Sequence, residues 1–107
     1  MKKTEVQEKF LKFISEGLDQ ITIEGLKVGC FLFTVLIKND RTRSLVLYDE
    51  LLYGWCVNED DYIKTLVAPT GLTEYQIDRG IVDLIKHGIF NITNDKNLKQ
   101  LMVEVRE

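Results

Sequence analysis

Residues 63–90, IKTLVAPTGLTEYQIDRGIVDLIKHGIF, decide how this chain is interpreted. Thr73 and Gln76 have the capping-box spacing, in which a hydroxyl residue at the cap is followed three residues later by an amide. Gly88 supplies the usual stop at the other end. These signals predict a helix from Glu74 to His87. Its inner face is predicted from the apolar spacing to consist of Ile77, Ile81, Leu84 and Ile85.

The segment before this helix is predicted to be a second helix. Asn58 is a good N-cap, and the three acids at 59–61 suit the positive end of a helix dipole. Pro69 would end that helix near Val67. The two helices would cross over shared apolar side chains, namely Leu66, Val67, Leu72, Ile77, Ile81, Leu84 and Ile85. One face of the second helix would then stay free.

A hairpin is predicted after Gly88. Two strand-like runs, 89–92 and 101–105, flank a segment rich in turn formers at 93–97. Upstream, residues 4–17 predict an amphipathic helix that Gly17 would end. The nearly continuous apolar run at 25–38 has the length of a helix and the β-branched and aromatic content of a strand. We expect a central buried helix there.

Composition limits the class of protein. The chain has 107 residues, 45% hydrophobic and 29% charged, which suits a single globular domain over 1–107. The longest uncharged stretch, 28–37, is too short to span a membrane, and the N-terminus has no signal-peptide pattern. We therefore expect a cytoplasmic protein without membrane contact. No phosphate-binding glycine loop, nucleophile elbow or acid pair is present, so we expect no enzymatic activity, cofactor or metal.

Thr70–Thr73, the spaced apolar positions that follow and Gly88–Phe90 resemble the winged helix-turn-helix DNA-binding family. The resemblance covers residues 60–105, a little under half of the chain, and leaves the subfamily open. It implies a mainly α fold with a small β-hairpin (α+β). Residues 59–88 would be the helix-turn-helix, residues 89–105 the wing, and residues 1–18 an N-terminal helical extension.

The same resemblance implies site-specific binding to double-stranded DNA by the recognition helix and the wing. The protein would act as a transcriptional regulator, or as an accessory factor in plasmid or phage DNA processing (replication, partition or conjugative transfer). Arg79 could read guanine and Gln76 could read adenine. The full set of implied contact residues is Thr73, Tyr75, Gln76, Arg79, Lys86, Asn94, Lys96, Asn97 and Lys99.

The charge distribution keeps an alternative open. Net charge is −3, and residues 1–61 hold 8 basic and 11 acidic side chains, whereas residues 62–107 hold 6 of each. Glu74 and Asp83 are expected on the outer face of the recognition helix, where they would repel phosphate. The alternative is a winged-helix module that binds a protein and makes no direct DNA contact.

Two kinds of protein partner are also expected. A homodimer, with helix 4–17 as the dimer element, would add avidity to a weakly charged DNA-binding surface. A larger DNA-processing or transcription complex is the second partner that the resemblance implies.

Overall fold

The computed structural model describes residues 2–107, and over this range the chain adopts an α+β fold with two small antiparallel sheets. The α+β class predicted from the sequence is confirmed. The described residues include no helix with both the length and the apolar character needed to cross a membrane. In chain order the elements are α1 (Lys3–Gln20), α2 (Ile23–Lys38), β1 (Arg43–Leu47), α3 (Tyr48–Tyr53), β2 (Trp55–Glu59), β3 (Tyr62–Val67), α4 (Glu74–His87), β4 (Phe90–Asp95) and β5 (Gln100–Val105).

The centre of the core is α2, which confirms the buried helix predicted at 25–38. Both α1 and α4 pack against it at glycines. A Cβ added to Gly80 would lie 2.7 Å from the backbone oxygen of Glu24, and one added to Gly29 would lie 2.3 Å from the Phe13 ring. The absence of a side chain at these two positions therefore lets the three helices approach closely.

The N-terminal helix extends beyond its predicted end at Gly17. It continues to Gln20, and Gly17 is buried inside it, where an added Cβ would lie 2.9 Å from Leu26 of α2. Gly17 therefore serves helix packing, and the prediction that it ends the helix is wrong. The chain turns at Ile21, which is extended, and Thr22 then caps α2 by accepting a hydrogen bond from the Gly25 N–H.

The helix predicted at 58–67, the first helix of the 59–88 pair, is wrong. Here β2 and β3 form an antiparallel hairpin with Glu59 opposite Tyr62. Asp60 and Asp61 both adopt positive φ angles, 47° and 63°, as the two central residues of a tight hairpin turn do. The residues that suggested a helix start are therefore turn formers, and α3 is the helix that precedes α4 in the chain.

The second sheet has three strands in the order β1-β5-β4, all antiparallel. Leu101, Val103 and Val105 of the central strand are buried, as the period of two predicts for a sheet with one covered face. The hairpin predicted over 89–105 is confirmed in β4 and β5. Because β4 begins directly after α4, the hairpin lies beside that helix.

Candidate nucleic-acid interface

Capping at both ends fixes the position of α4, as predicted. The Thr73 hydroxyl accepts a hydrogen bond from the Gln76 N–H at 3.2 Å, and Gln76 Oε1 accepts one from the Thr73 N–H at 2.9 Å. Gly88, with φ 82°, ends the helix and donates its N–H to the Leu84 carbonyl. Ile77, Ile81 and Leu84 are buried, but Ile85 is 48% exposed, so its assignment to the inner face is wrong.

Two of the predicted contact residues are engaged by this cap. The side chains of Thr73 and Gln76 bond to each other's backbone at the start of α4, and Gln76 is half-buried. A Gln76 amide that reads adenine would have to give up its capping hydrogen bond. Neither side chain is therefore free to contact a ligand while the cap is intact.

Four other predicted contact residues are brought together. Tyr75, Arg79 and Lys86 follow one another along the outer face of α4, and Lys96 reaches the same groove from the turn between β4 and β5. The groove has a volume of about 520 Å³. The Arg79 guanidinium carbon lies 5.9 Å from the centre of the Tyr75 ring, which is close enough for a cation–π contact.

Val82 also lies in this groove and is 52% exposed. The sequence interpretation missed it because apolar residues on α4 were assigned to the core. The sequence feature that could have identified Val82 is its spacing. It lies three residues after Arg79 and four before Lys86, and therefore shares their helix face.

Each acid of α4 has a partner within the protein. Glu74 forms an ion pair with Lys99. The Tyr48 hydroxyl donates a hydrogen bond to Asp78 at 2.6 Å. Asp83 Oδ2 accepts hydrogen bonds from both the N–H and the hydroxyl of Thr22, each at 2.7 Å. Glu74 and Asp83, which were expected to repel phosphate from the outer face of α4, are therefore both paired within the protein.

The basic side chains of the groove are differently placed. Within residues 2–107, no carboxylate lies within ion-pairing distance of Arg79, Lys86 or Lys96. These three cations are exposed. Asp78 and Asp83 also line the groove, but they accept hydrogen bonds from Tyr48 and Thr22, and Glu74 pairs with Lys99. The local pattern around α4 thus favours an anionic ligand, although the whole chain is acidic.

Asn94 and Lys99 do not join the groove set. Tyr48 is buried, and its hydroxyl accepts a hydrogen bond from the Asn94 amide at 2.9 Å while it donates to Asp78. Burial, followed by the hydrogen bond to Asp78, raises the pKa of Tyr48 to about 12. The hydrogen bond with Glu74 raises the pKa of Lys99. Asn94 and Lys99 therefore hold the β4–β5 hairpin against α3 and α4.

The turn between β4 and β5 is held by Asp95. Its carboxylate accepts hydrogen bonds from the backbone N–H groups of Asn97 and Leu98, at 3.0 and 3.1 Å. This leaves Lys96, Asn97 and Leu98 exposed at the tip. Asn97 is therefore placed at the exposed tip, as predicted, but it does not line the groove beside α4.

A larger groove of about 760 Å³ separates α1 from the end of α4. It contains four cations, Lys9, Lys12, Lys86 and Arg106, but also three carboxylates, Glu16, Asp83 and Glu107. Asp83 lines both grooves, but Glu16 and Glu107 form no ion pair within residues 2–107, whereas Asp78 and Asp83, the two carboxylates beside the outer face of α4, accept hydrogen bonds from the protein. The outer face of α4 is therefore the better candidate interface.

Comparison of the chain with protein-family models, curated protein sequences and solved structures finds no match. The geometry of α4 and the β4–β5 hairpin is therefore the basis on which a function is proposed.

Proposed function

We propose that this protein binds double-stranded DNA at specific sites, with α4 in the major groove and the β4–β5 hairpin acting as a wing. The observation that carries the proposal is that the acids of α4 are paired within the protein while the cations beside them are not. These acids bond to neighbouring elements, while Arg79, Lys86 and Lys96 remain exposed along one groove. In this proposal α3 takes the place of the first helix in the pair, and the β2–β3 hairpin is an insertion between the two helices.

The exposed residues have distinct roles in this complex. Arg79 hydrogen-bonds two acceptors of a guanine, and Val82 contacts a thymine methyl group. Tyr75, near the start of α4, donates its hydroxyl to a phosphate. Lys86 and Lys96 neutralise phosphates on either side of the groove, and Asn97 extends the contact from the wing tip.

The small number of cations sets the expected strength of binding. Each neutralised phosphate contributes about −0.9 to the slope of log K against log salt concentration, so the two phosphate contacts of Lys86 and Lys96 give a slope of about −2. Two copies bound to a repeated site would add avidity to such a weakly charged surface. This suits a transcriptional regulator or an accessory factor in plasmid or phage DNA processing, working in the cytoplasm.

The test is selection of binding sequences from a random duplex library, followed by fluorescence-anisotropy titrations at two salt concentrations. We expect an enriched motif, and loss of preference at one base pair in Arg79→Ala. Lys64→Ala is the matched control, because Lys64 is exposed on β3 and outside the groove. The absence of an enriched motif, or equal effects of the two variants, would refute the proposal.

A second candidate is a protein-binding module, and the β2–β3 hairpin favours it. Tyr53, Tyr62 and Ile63 are exposed on and beside this hairpin, and its turn is acidic at 59–61. The corresponding partner would carry a basic surface. Asp60→Asn combined with Asp61→Gly keeps residues that suit the turn but removes both charges. If this double variant keeps DNA affinity but loses the partner, protein binding is a separate function of the hairpin.

A further inference from the structure

An apolar stripe runs along α1 on the side that faces away from the protein. Leu11 and Leu18 are 68% and 69% exposed, and Ile14 between them is partly exposed. Their spacing of three and four residues puts them on one face. The buried residues of α1 are Val6, Phe13 and Gly17, which meet α2, whereas Lys9, Lys12, Glu16 and Gln20 line the groove towards α4. The stripe is therefore turned away from the proposed DNA-binding face.

The apolar surface continues beyond α1. Leu26 of α2 contacts α1 at Gly17 and also lines a groove of about 480 Å³ between α2 and residues 66–70. Most of the surface of this groove is apolar and is contributed by side chains such as Phe31 and Pro69. Single exposed leucines need no explanation, but an apolar stripe that borders an apolar groove indicates a contact surface.

The charges of α1 run against its own dipole. Lys2 and Lys3 lie at its N-terminal end, where only Glu5 offers a favourable charge in the first turn. Glu16 and Asp19 lie near its C-terminal end, where the last turn has no base. Acids are favourable at a helix N-terminus and bases at a C-terminus, so this order costs stability in an isolated helix. A second helix running in the opposite direction would place each end beside the opposite charge.

We propose that the α1 stripe is a self-association surface, on which α1 of a second copy packs antiparallel. The same surface then serves both copies, as two-fold symmetry requires. Leu11 of one copy packs on Leu18 of the other, Ile14 packs on Ile14, and the N-terminal half of each α1, which begins with Lys2 and Lys3, lies towards the acidic C-terminal half of its partner. Both α4 faces stay free, because the stripe lies on the opposite side of α1 from α4.

The test is sedimentation velocity across a concentration series, without DNA, so that its outcome is independent of the proposed function. We expect a dimer for the native chain and a monomer for Leu11→Glu combined with Leu18→Glu. Ile63→Glu is the matched control, because Ile63 is exposed on β3 and should not affect the dimer. A native monomer at every concentration, or a dimer that survives the double substitution with unchanged circular dichroism, overturns the proposal.

Cross-linking keeps the test decisive if the double variant unfolds. In chains with Cys30→Ala and Cys56→Ser, Leu11→Cys and Leu18→Cys place thiols at the two positions that pack on each other across the proposed interface. The antiparallel arrangement predicts a disulfide only when the two single variants are mixed, because at 1.5 Å rise per residue like positions would be roughly 10 Å apart, which is too far for a disulfide. Disulfides within each variant alone would show a parallel pair and overturn the proposal.

Discussion

The Tyr48 hydroxyl donates a hydrogen bond of 2.6 Å to the Asp78 carboxylate and accepts one of 2.9 Å from the Asn94 amide. These residues belong to α3, α4 and β4, so a single buried side chain links three elements. The relative position of α4 and the β4–β5 hairpin depends on this link. In the proposed complex, both would have to contact the same duplex at once.

Removing the Tyr48 hydroxyl should therefore destabilise the fold. Tyr48→Phe leaves Asp78 and Asn94 without their shared partner in a partly buried site, which costs about 1–3 kcal/mol. Urea denaturation followed by circular dichroism measures the loss. Tyr53→Phe is the control, because Tyr53 is exposed and should unfold like the native chain. Equal stability of the two variants would show that the link contributes nothing.

Tyr48 should also titrate at a higher pH than the other tyrosines. The folded pKa of Tyr48 is about 12, above the ordinary value of about 10 in an unfolded chain. The folded state thus holds the proton more tightly, so the contribution to stability is complete below pH of about 10 and is lost as pH rises through 12. Tyrosinate absorbance should show one step later than the others, and Tyr48→Phe should remove that step. A native titration with all tyrosines near pH 10 would contradict the prediction.

Local signals were sufficient to predict α4. Its capping box and its terminal glycine lie within the helix or next to it, so they act without the rest of the chain. The apolar length of 25–38 was similarly sufficient for α2. Local signals failed at Asn58–Asp61, since an N-cap followed by acids has the same composition as an Asp-rich turn. Both faces of β3 are largely exposed, so no apolar alternation marked it as a strand.

The sequence could not predict that the acids of α4 are paired with other side chains of the protein. Their partners Tyr48, Thr22 and Lys99 lie 30, 61 and 25 residues away along the chain. Which of these groups meet is decided by how α2, α3 and β5 pack on α4. Three of the basic residues named from the sequence, Arg79, Lys86 and Lys96, do share one groove, but the pairing of the neighbouring acids could not be foreseen.

Releasing Lys99 from Glu74 should strengthen DNA binding. Glu74→Gln removes one negative charge near the proposed phosphate contacts and frees a cation on the wing. Both side chains of the pair are about half exposed, so the loss of this ion pair should change stability little. Anisotropy titrations should show tighter binding at low salt and a steeper salt dependence, by about one unit of slope.

A matched acid elsewhere makes this result interpretable. Glu59→Gln removes the same charge from the β2–β3 hairpin, outside the groove beside α4. Its effect on DNA affinity should be small, because exposed charges more than about 10 Å apart are largely screened at 0.1 M salt. If both variants bind DNA more tightly by the same factor, net charge rather than the release of Lys99 explains the gain.

Gly80 should tolerate no side chain, although it lies within a helix. Replacing glycine by alanine in a helix usually gains about 1 kcal/mol. At Gly80, however, the new Cβ would lie 2.7 Å from the Glu24 backbone oxygen, which cannot move without shifting α2. We therefore expect Gly80→Ala to lose about 1–3 kcal/mol by overpacking. Arg79→Ala, one residue earlier on the exposed face, should stay within about 0.5 kcal/mol of the native chain. Thermal and urea unfolding compare the three proteins, and a stabilised Gly80→Ala would mean that α2 and α4 pack less closely than described.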